Sequence, residues 1–158
     1  MEIREEVPIK SFLIAAYVCR VDSGQGQYLI IKRSTPYLNE TWQMVSGRIE
    51  KGEKAWQAAL REIKEETGLI PDRLYSANEV ELFYEVSQNC INVAPVFVGF
   101  IDSHQAVELS SEHSEHKWAT REEAETLLTF ARQRKTIEII EATFVRQEPL
   151  EFLKITTR

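Results

Sequence analysis

The chain has 158 residues and a mass of 18.3 kDa, so a single domain over residues 1–158 is expected, large enough to bury a core without disulfide staples. With 43% hydrophobic and 28% charged residues, the composition excludes a disordered chain. The formal charge of −6 excludes general binding of long nucleic acids, which depends on basic patches, and seven acids with no Lys or Arg crowd between Leu74 and His116.

Residues 12–20 (FLIAAYVCR) and 28–33 (YLIIKR) read as strands, joined by VDSGQGQ, whose Asp, Ser and two Gly suit a hairpin loop. The first run contains the longest apolar stretch, Phe12 to Cys19, far too short to span a membrane. The N-terminal MEIREEVPIK lacks the apolar centre of a signal peptide, so a cytoplasmic protein with no membrane partner is expected. Cys19 and Cys90 both sit in apolar strand-like runs and read as buried free thiols. Residues 42–46 (WQMVS) form a short extended piece. From Lys54 to Thr67 the period turns helical, with Gly68 and Pro71 as stop signals. Residues 79–86 and 91–101 are again strand-like. Thr120 and Glu123 form a capping box opening a helix through about Leu128, and a last helix runs over about 131–146 with Ile137, Ile140 and Phe144 on one face. Strands interrupted by one helix, then closing helices, predict an α+β protein: a mixed sheet covered by helices.

The chemistry concentrates in residues 47–69, GRIEKGEKAWQAALREIKEETGL. Glu62, Glu65 and Glu66 lie at i, i+3 and i+4, so the helix projects three carboxylates from one face. Arg61 offsets part of their repulsion through an i, i+4 pair with Glu65. Ala55, Ala59 and Ile63 form a narrow apolar stripe for close packing, and the small Ala58 is expected to leave the space above the carboxylates open. Gly47 and Gly52 sit in the preceding loop, where backbone can approach a ligand closely. Oxygen ligands in this number suit a hard cation such as Mg²⁺ together with substrate phosphates. A salt-bridged, solvated helix face is the plain structural alternative.

The same 23 residues resemble the signature box of the Nudix hydrolases. Gly47, Glu53, Arg61, Glu62, Glu65, Glu66 and Gly68 match its fixed positions, and Ile63 and Leu69 its aliphatic ones. The resemblance implies an α/β/α sandwich with a mixed β-sheet and the box as a loop–helix–loop beside it. It also implies hydrolysis of a nucleoside diphosphate linked to another moiety, with Mg²⁺ or Mn²⁺. Glu62, Glu65 and Glu66 would hold the metal, the Gly47 carbonyl joining them, and Glu53 with Arg61 would brace the helix against its loop.

Outside the box, EHSEHKW (112–118) is similar to a Glu-His-Trp pattern of nucleoside-triphosphate-cleaving members. Together with IKRSTP, TWQMVSG and QRKTIEII, it is closest in character to the dihydroneopterin triphosphate pyrophosphatases, also described as dATP pyrophosphohydrolases. On that resemblance the partner is a small nucleoside or pterin triphosphate, cleaved to monophosphate and pyrophosphate. Glu112 is then a further metal ligand or the base for the attacking water, with Glu115 in reserve. Lys32 and Arg33 are candidates for the phosphate chain, and Tyr37, Phe83 and Tyr84 for stacking on the ring. Trp42 and Trp118 read as core or site wall, while Trp56 has no assignment. His113 and His116 form an HxxH pair without a third ligand and read as structural rather than zinc-binding. A Tyr near position 84 is associated with diadenosine polyphosphate hydrolases, which makes these the enzymatic alternative. ADP-ribose is disfavoured, since the Pro of its hydrolases is missing near LFYEV. A non-catalytic nucleotide-binding module is the alternative of another class, disfavoured by the intact box.

Overall fold

Successive side chains of a strand point to opposite faces, so the unbroken apolar run Phe12–Cys19 must be covered on both sides. The computed structural model, which describes Met1 and residues 4–157, shows that covering; Glu2, Ile3 and Arg158 lie outside the described residues. Strand β2 (Leu13–Asp22) pairs in parallel with β7 (Cys90–Phe100), and β6 (Arg73–Glu85) continues the sheet antiparallel beyond β7. The other edge of β2 is shared. Its first residues pair with β5 (Val45–Arg48), Ile14 opposite Gly47, and its last with β3 (Gln25–Arg33), Cys19 opposite Tyr28. β8 (His113–Ala119) lies antiparallel along β3, and the two-residue strands β1 (Ile9–Lys10) and β4 (Trp42–Gln43) pair with β7 and β3.

Helix α1 (Ala55–Thr67) covers one face, where Ala58, Ala59 and Ile63 pack on Ile14, Ala16, Val18 and Ile31. The other face carries α2 (Arg121–Leu127) and α3 (Ala131–Ile140), with Ala124, Ile137, Ile140 and Phe144 against Ala15, Tyr17, Tyr28 and Ile30. Each large aliphatic side chain buried this way contributes roughly 1.5–3 kcal/mol. The expected α+β sandwich of a mixed sheet between helices is therefore the observed architecture. Among the described residues no helix is long and apolar enough to cross a membrane.

Several boundaries differ from the sequence expectations. The hairpin after β2 is a two-residue turn at Ser23 and Gly24, both at positive φ, and most of VDSGQGQ lies in the strands. β6 begins at Arg73 rather than 79, because a bulge between Ser76 and Val80, with Asn78 at φ 57°, interrupts its alternation. The last helix changes at Glu141–Val145 into a π turn. Gly68 ends α1 in the left-handed conformation, its N–H donating to the Lys64 carbonyl at 2.9 Å, and the Thr120 hydroxyl caps α2 by accepting from the Glu123 N–H. Cys19 and Cys90 are buried and free. Ala58, expected to leave room over the carboxylates, is instead fully buried in the core.

Candidate active site

The site is assembled around one guanidinium. Arg61 Nε donates to Glu53 Oε1 at 2.6 Å and Nη2 to Glu53 Oε2 at 3.1 Å, a fork on a single carboxylate. The remaining hydrogens reach the Arg48 carbonyl at 2.8 Å, Glu62 at 2.8 Å and Glu65 at 3.2 Å. Arg61 thereby ties α1 to β5 and to the Glu50–Glu53 turn, where the Glu50 N–H also donates to Glu53. Glu53 and Arg61, the pair that the box resemblance would have brace the helix, are thus in direct contact.

The three box glutamates are not equivalent. The Glu65 side chain is 58% exposed, Glu62 is half-buried, and Glu66 is 7% exposed with one carboxylate oxygen lacking any hydrogen-bond partner. Burial, reinforced by the charges of Glu62 and Glu112, pushes the Glu66 carboxyl up to about 8. Burial also raises Glu62, against the pull of Arg61. Gly47 lies in β5 directly over Glu62, and a Cβ there would overlap the Glu62 carboxylate. The room made by this glycine is thus filled by Glu62, where the sequence suggested a close approach to a ligand. Gly52, at φ +85°, only permits its turn.

The long connection after β7 closes the site from the other side. The N–H groups of Glu108 and Ser110 donate to the Thr67 and Glu66 carbonyls at 2.8 and 3.2 Å, satisfying the end of α1. The chain then delivers Glu112 beside Glu66. Glu66, Glu112 and His113 each offer a ligand atom within 4.8 Å of one another. His113 is buried with Nδ1 unpartnered, and burial, followed by the charge of Arg33, lowers its pKa. A buried carboxylate oxygen and a neutral imidazole nitrogen without partners fit a divalent cation. The HxxH spacing hides this role, because the polar stretch His113–Ala119 carries no strand signal, and His116 is exposed and outside this cluster.

Glu62, Glu65, Glu66 and Glu112 open into a cleft of about 1680 Å³, with Arg33, Tyr37, Phe83 and Tyr84 also on its walls. Tyr84 is 53% exposed and its hydroxyl donates to Asn89. Arg33 stacks at 5.7 Å from the Tyr37 ring centroid and its Nε donates to the Tyr37 carbonyl. Lys32 departs from expectation. It is no part of the cleft wall, and its ammonium binds Glu115 at 3.1 Å. A register shift between Lys32 and Arg33 sets Lys32 opposite Glu115 and Arg33 opposite His113, so only Arg33 faces the carboxylates. That contact removes both Lys32 and the reserve acid Glu115 from the site. Trp42, Trp118 and Trp56 pack on the edges of the two cores.

The NUDIX-domain family model matches residues 12–139. The chain belongs to the Nudix family. It is accordingly a Nudix pyrophosphohydrolase, and such enzymes generally use divalent metal ions such as Mg²⁺. It is 30% identical to the bis(5'-nucleosyl)-tetraphosphatase [asymmetrical] of Caenorhabditis elegans over 69% of this chain and 78% of that one. Its fold superposes on the C. elegans Ap4A hydrolase binary complex with a TM-score of 0.72 at 23% identity, covering 86% of this chain and 96% of that one. The E. coli dihydroneopterin triphosphate pyrophosphohydrolase gives a TM-score of 0.68 at 24% identity, covering 89% and 99%. Both superpositions speak for the shared fold alone. Relatives by sequence thus include a member of the dinucleoside polyphosphate class that the sequence offered as its alternative, and also the RNA pyrophosphohydrolase of Roseobacter denitrificans, 41% identical over 37% of this chain and 36% of that one.

Proposed function

We propose that the protein is a Mg²⁺- or Mn²⁺-dependent hydrolase of small nucleoside polyphosphates, with dinucleoside polyphosphates as its first substrate class. The observation that carries this reading is the buried, partnerless carboxylate oxygen of Glu66 beside Glu62, Glu112 and His113 in a cleft large enough for a polyphosphate chain and its ring. Glu62, Glu65, Glu66 and Glu112, with the Gly47 carbonyl, would hold the cation. A cation there supplies neutralisation of the polyphosphate and activation of a water. Arg33 binds a phosphate as a fork. Arg61 and Glu53 hold the glutamates in place. Water attacks one phosphorus as the bridging P–O bond breaks, and Glu112 accepts the proton. Tyr84 stacks against a ring at the cleft mouth.

Nucleoside and pterin triphosphates, including dATP and dihydroneopterin triphosphate, form the second reading. It is favoured by the resemblance of EHSEHKW and by a polar end of the cleft suited to one ring. Incubating the protein with Mg²⁺ and a panel of dinucleoside polyphosphates, nucleoside triphosphates, dihydroneopterin triphosphate and nucleotide sugars, with identification of the phosphate products, tests both. Tetraphosphate cleavage supports the first class, and monophosphate plus pyrophosphate from triphosphates the second. No turnover of any member in metal-replete buffer would leave a binding module instead.

A further inference from the structure

One end of the cleft is polar in a way that the phosphate chemistry does not use. On the α3 face of the sheet, Glu81 of β6 stands opposite Ala94 of β7, and Phe83 stands opposite Asn92 one same-face step along the ladder. Glu81 is only 8% exposed yet lines the cleft that holds Glu62 and Glu66. It accepts a hydrogen bond from the Tyr17 hydroxyl, which anchors it from β2. From α3, Gln133 also lines this end, and its carbonyl oxygen is buried without a partner. The Asn92 carbonyl oxygen is likewise buried and unpartnered, its amide nitrogen being committed to Glu85 at 2.9 Å. Phe83 and Phe130, both partly exposed on the cleft wall, add flat apolar surface.

The Glu81 carboxylate and the Gln133 carbonyl, the two of these that line the cleft, are both acceptors, and buried acceptors are matched by donors. Neither can serve a phosphate, which is itself an acceptor. Two adjacent N–H donors on one ring edge are the complement of a carboxylate. The 2-amino-6-oxo edge of guanine and the matching 2-amino-4-oxo edge of pterin carry such a pair. Adenine sets a ring-nitrogen acceptor beside its amino group and would meet acceptor with acceptor.

We propose that this end of the cleft is the ring-recognition subsite and that Glu81, supported by the Gln133 carbonyl, selects guanine- or pterin-type rings over adenine. The inference rests on reading the cleft as the site of a nucleoside polyphosphate, and it names the ring that the site takes. Tyr17 is a positioning residue, holding Glu81 in place through its hydroxyl.

Calorimetric titration of the full chain with GMP, neopterin and AMP tests the subsite without any hydrolysis. GMP is expected to bind about tenfold more tightly than AMP. Glu81→Gln, which converts the acceptor pair into an acceptor and a donor, should weaken GMP, strengthen AMP and collapse that ratio. In the hydrolysis assay, the kcat/KM ratio of guanine to adenine substrates should fall in parallel. Neopterin competing with GMP supports a shared edge, and neopterin failing to compete overturns the pterin part. Equal or tighter AMP binding by the unaltered protein overturns the proposal, as does an unchanged ratio in Glu81→Gln or in Gln133→Leu. GMP selectivity in a protein that hydrolyses nothing would sink the catalytic reading alone.

Discussion

The side chain that Gly47 lacks would occupy the space of the Glu62 carboxylate. The two residues come from separate elements, β5 and α1, and their fit sets where that carboxylate stands. Gly47 is not at positive φ, so Gly47→Ala strains no backbone and acts by displacement alone. Its kcat/KM is expected to fall about 10–100-fold, the usual range for misplacing a metal-site group. Adding Glu62→Ala to Gly47→Ala should cost little more, since both remove one placement. Fully additive losses in the double variant would contradict this.

Glu66→Gln should lower metal-dependent activity by more than about 100-fold, as several kcal/mol of transition-state stabilisation depend on the cation it helps hold. Without metal the same variant should melt no lower than the parent, because a buried unpaired carboxylate has been neutralised. Titrating Mg²⁺ should raise the Tm of the parent and leave that of Glu66→Gln nearly still. Thermal melts in chelator and across a Mg²⁺ series read both effects.

Arg61→Lys keeps the positive charge and loses the fork that joins Glu53, Glu62, Glu65 and the Arg48 carbonyl. Activity should fall by at least about tenfold, with the apparent Mg²⁺ affinity weakened. Metal-activation curves for the two proteins provide the comparison; identical half-saturation would show that the fork is unnecessary.

Burial holds the Glu81 carboxyl above its usual range, while the Tyr17 hydroxyl and the Arg132 charge pull it back. The folded protein therefore keeps this proton more tightly than the unfolded chain does. From the ordinary value of 4.5 up to the raised folded value, this group's contribution to stability falls as pH rises, and the loss is complete above that value. Glu81→Gln abolishes the slope, so its stability relative to the parent should improve from pH 4.5 up to the raised folded value and level off above it. Urea denaturation at several pH values measures the gap; a constant gap would mean that Glu81 ionises without penalty.

The box was readable because its chemistry is local. Helical spacing alone puts Glu62, Glu65 and Glu66 on one face, and a glycine with a nearby proline marks the stop. The differences among them were not readable, since the sheet and the 101–112 connection bury Glu66 while Glu65 stays in solvent. The fates of Lys32 and Arg33 turned on a register shift in the β3–β8 ladder, which leaves no mark in the strand's composition. β8 itself is polar along most of its length, so nothing in its sequence marks His113 as pointing inward. Glu81 resembled the other acids of its segment until β6 was paired with β7 and covered by α3.

β2 changes partner along one edge, holding β5 at its start and β3 at its end. The 34–41 connection at the cleft mouth leaves β3, which is tied to β2, and returns in β4, which pairs back on β3 just before β5 begins. Insertions or replacements in that connection can alter what enters the cleft without shifting Gly47 against Glu62. Such an arrangement lets selectivity diverge among descendants of one scaffold while the inherited bond-breaking machinery stays in register.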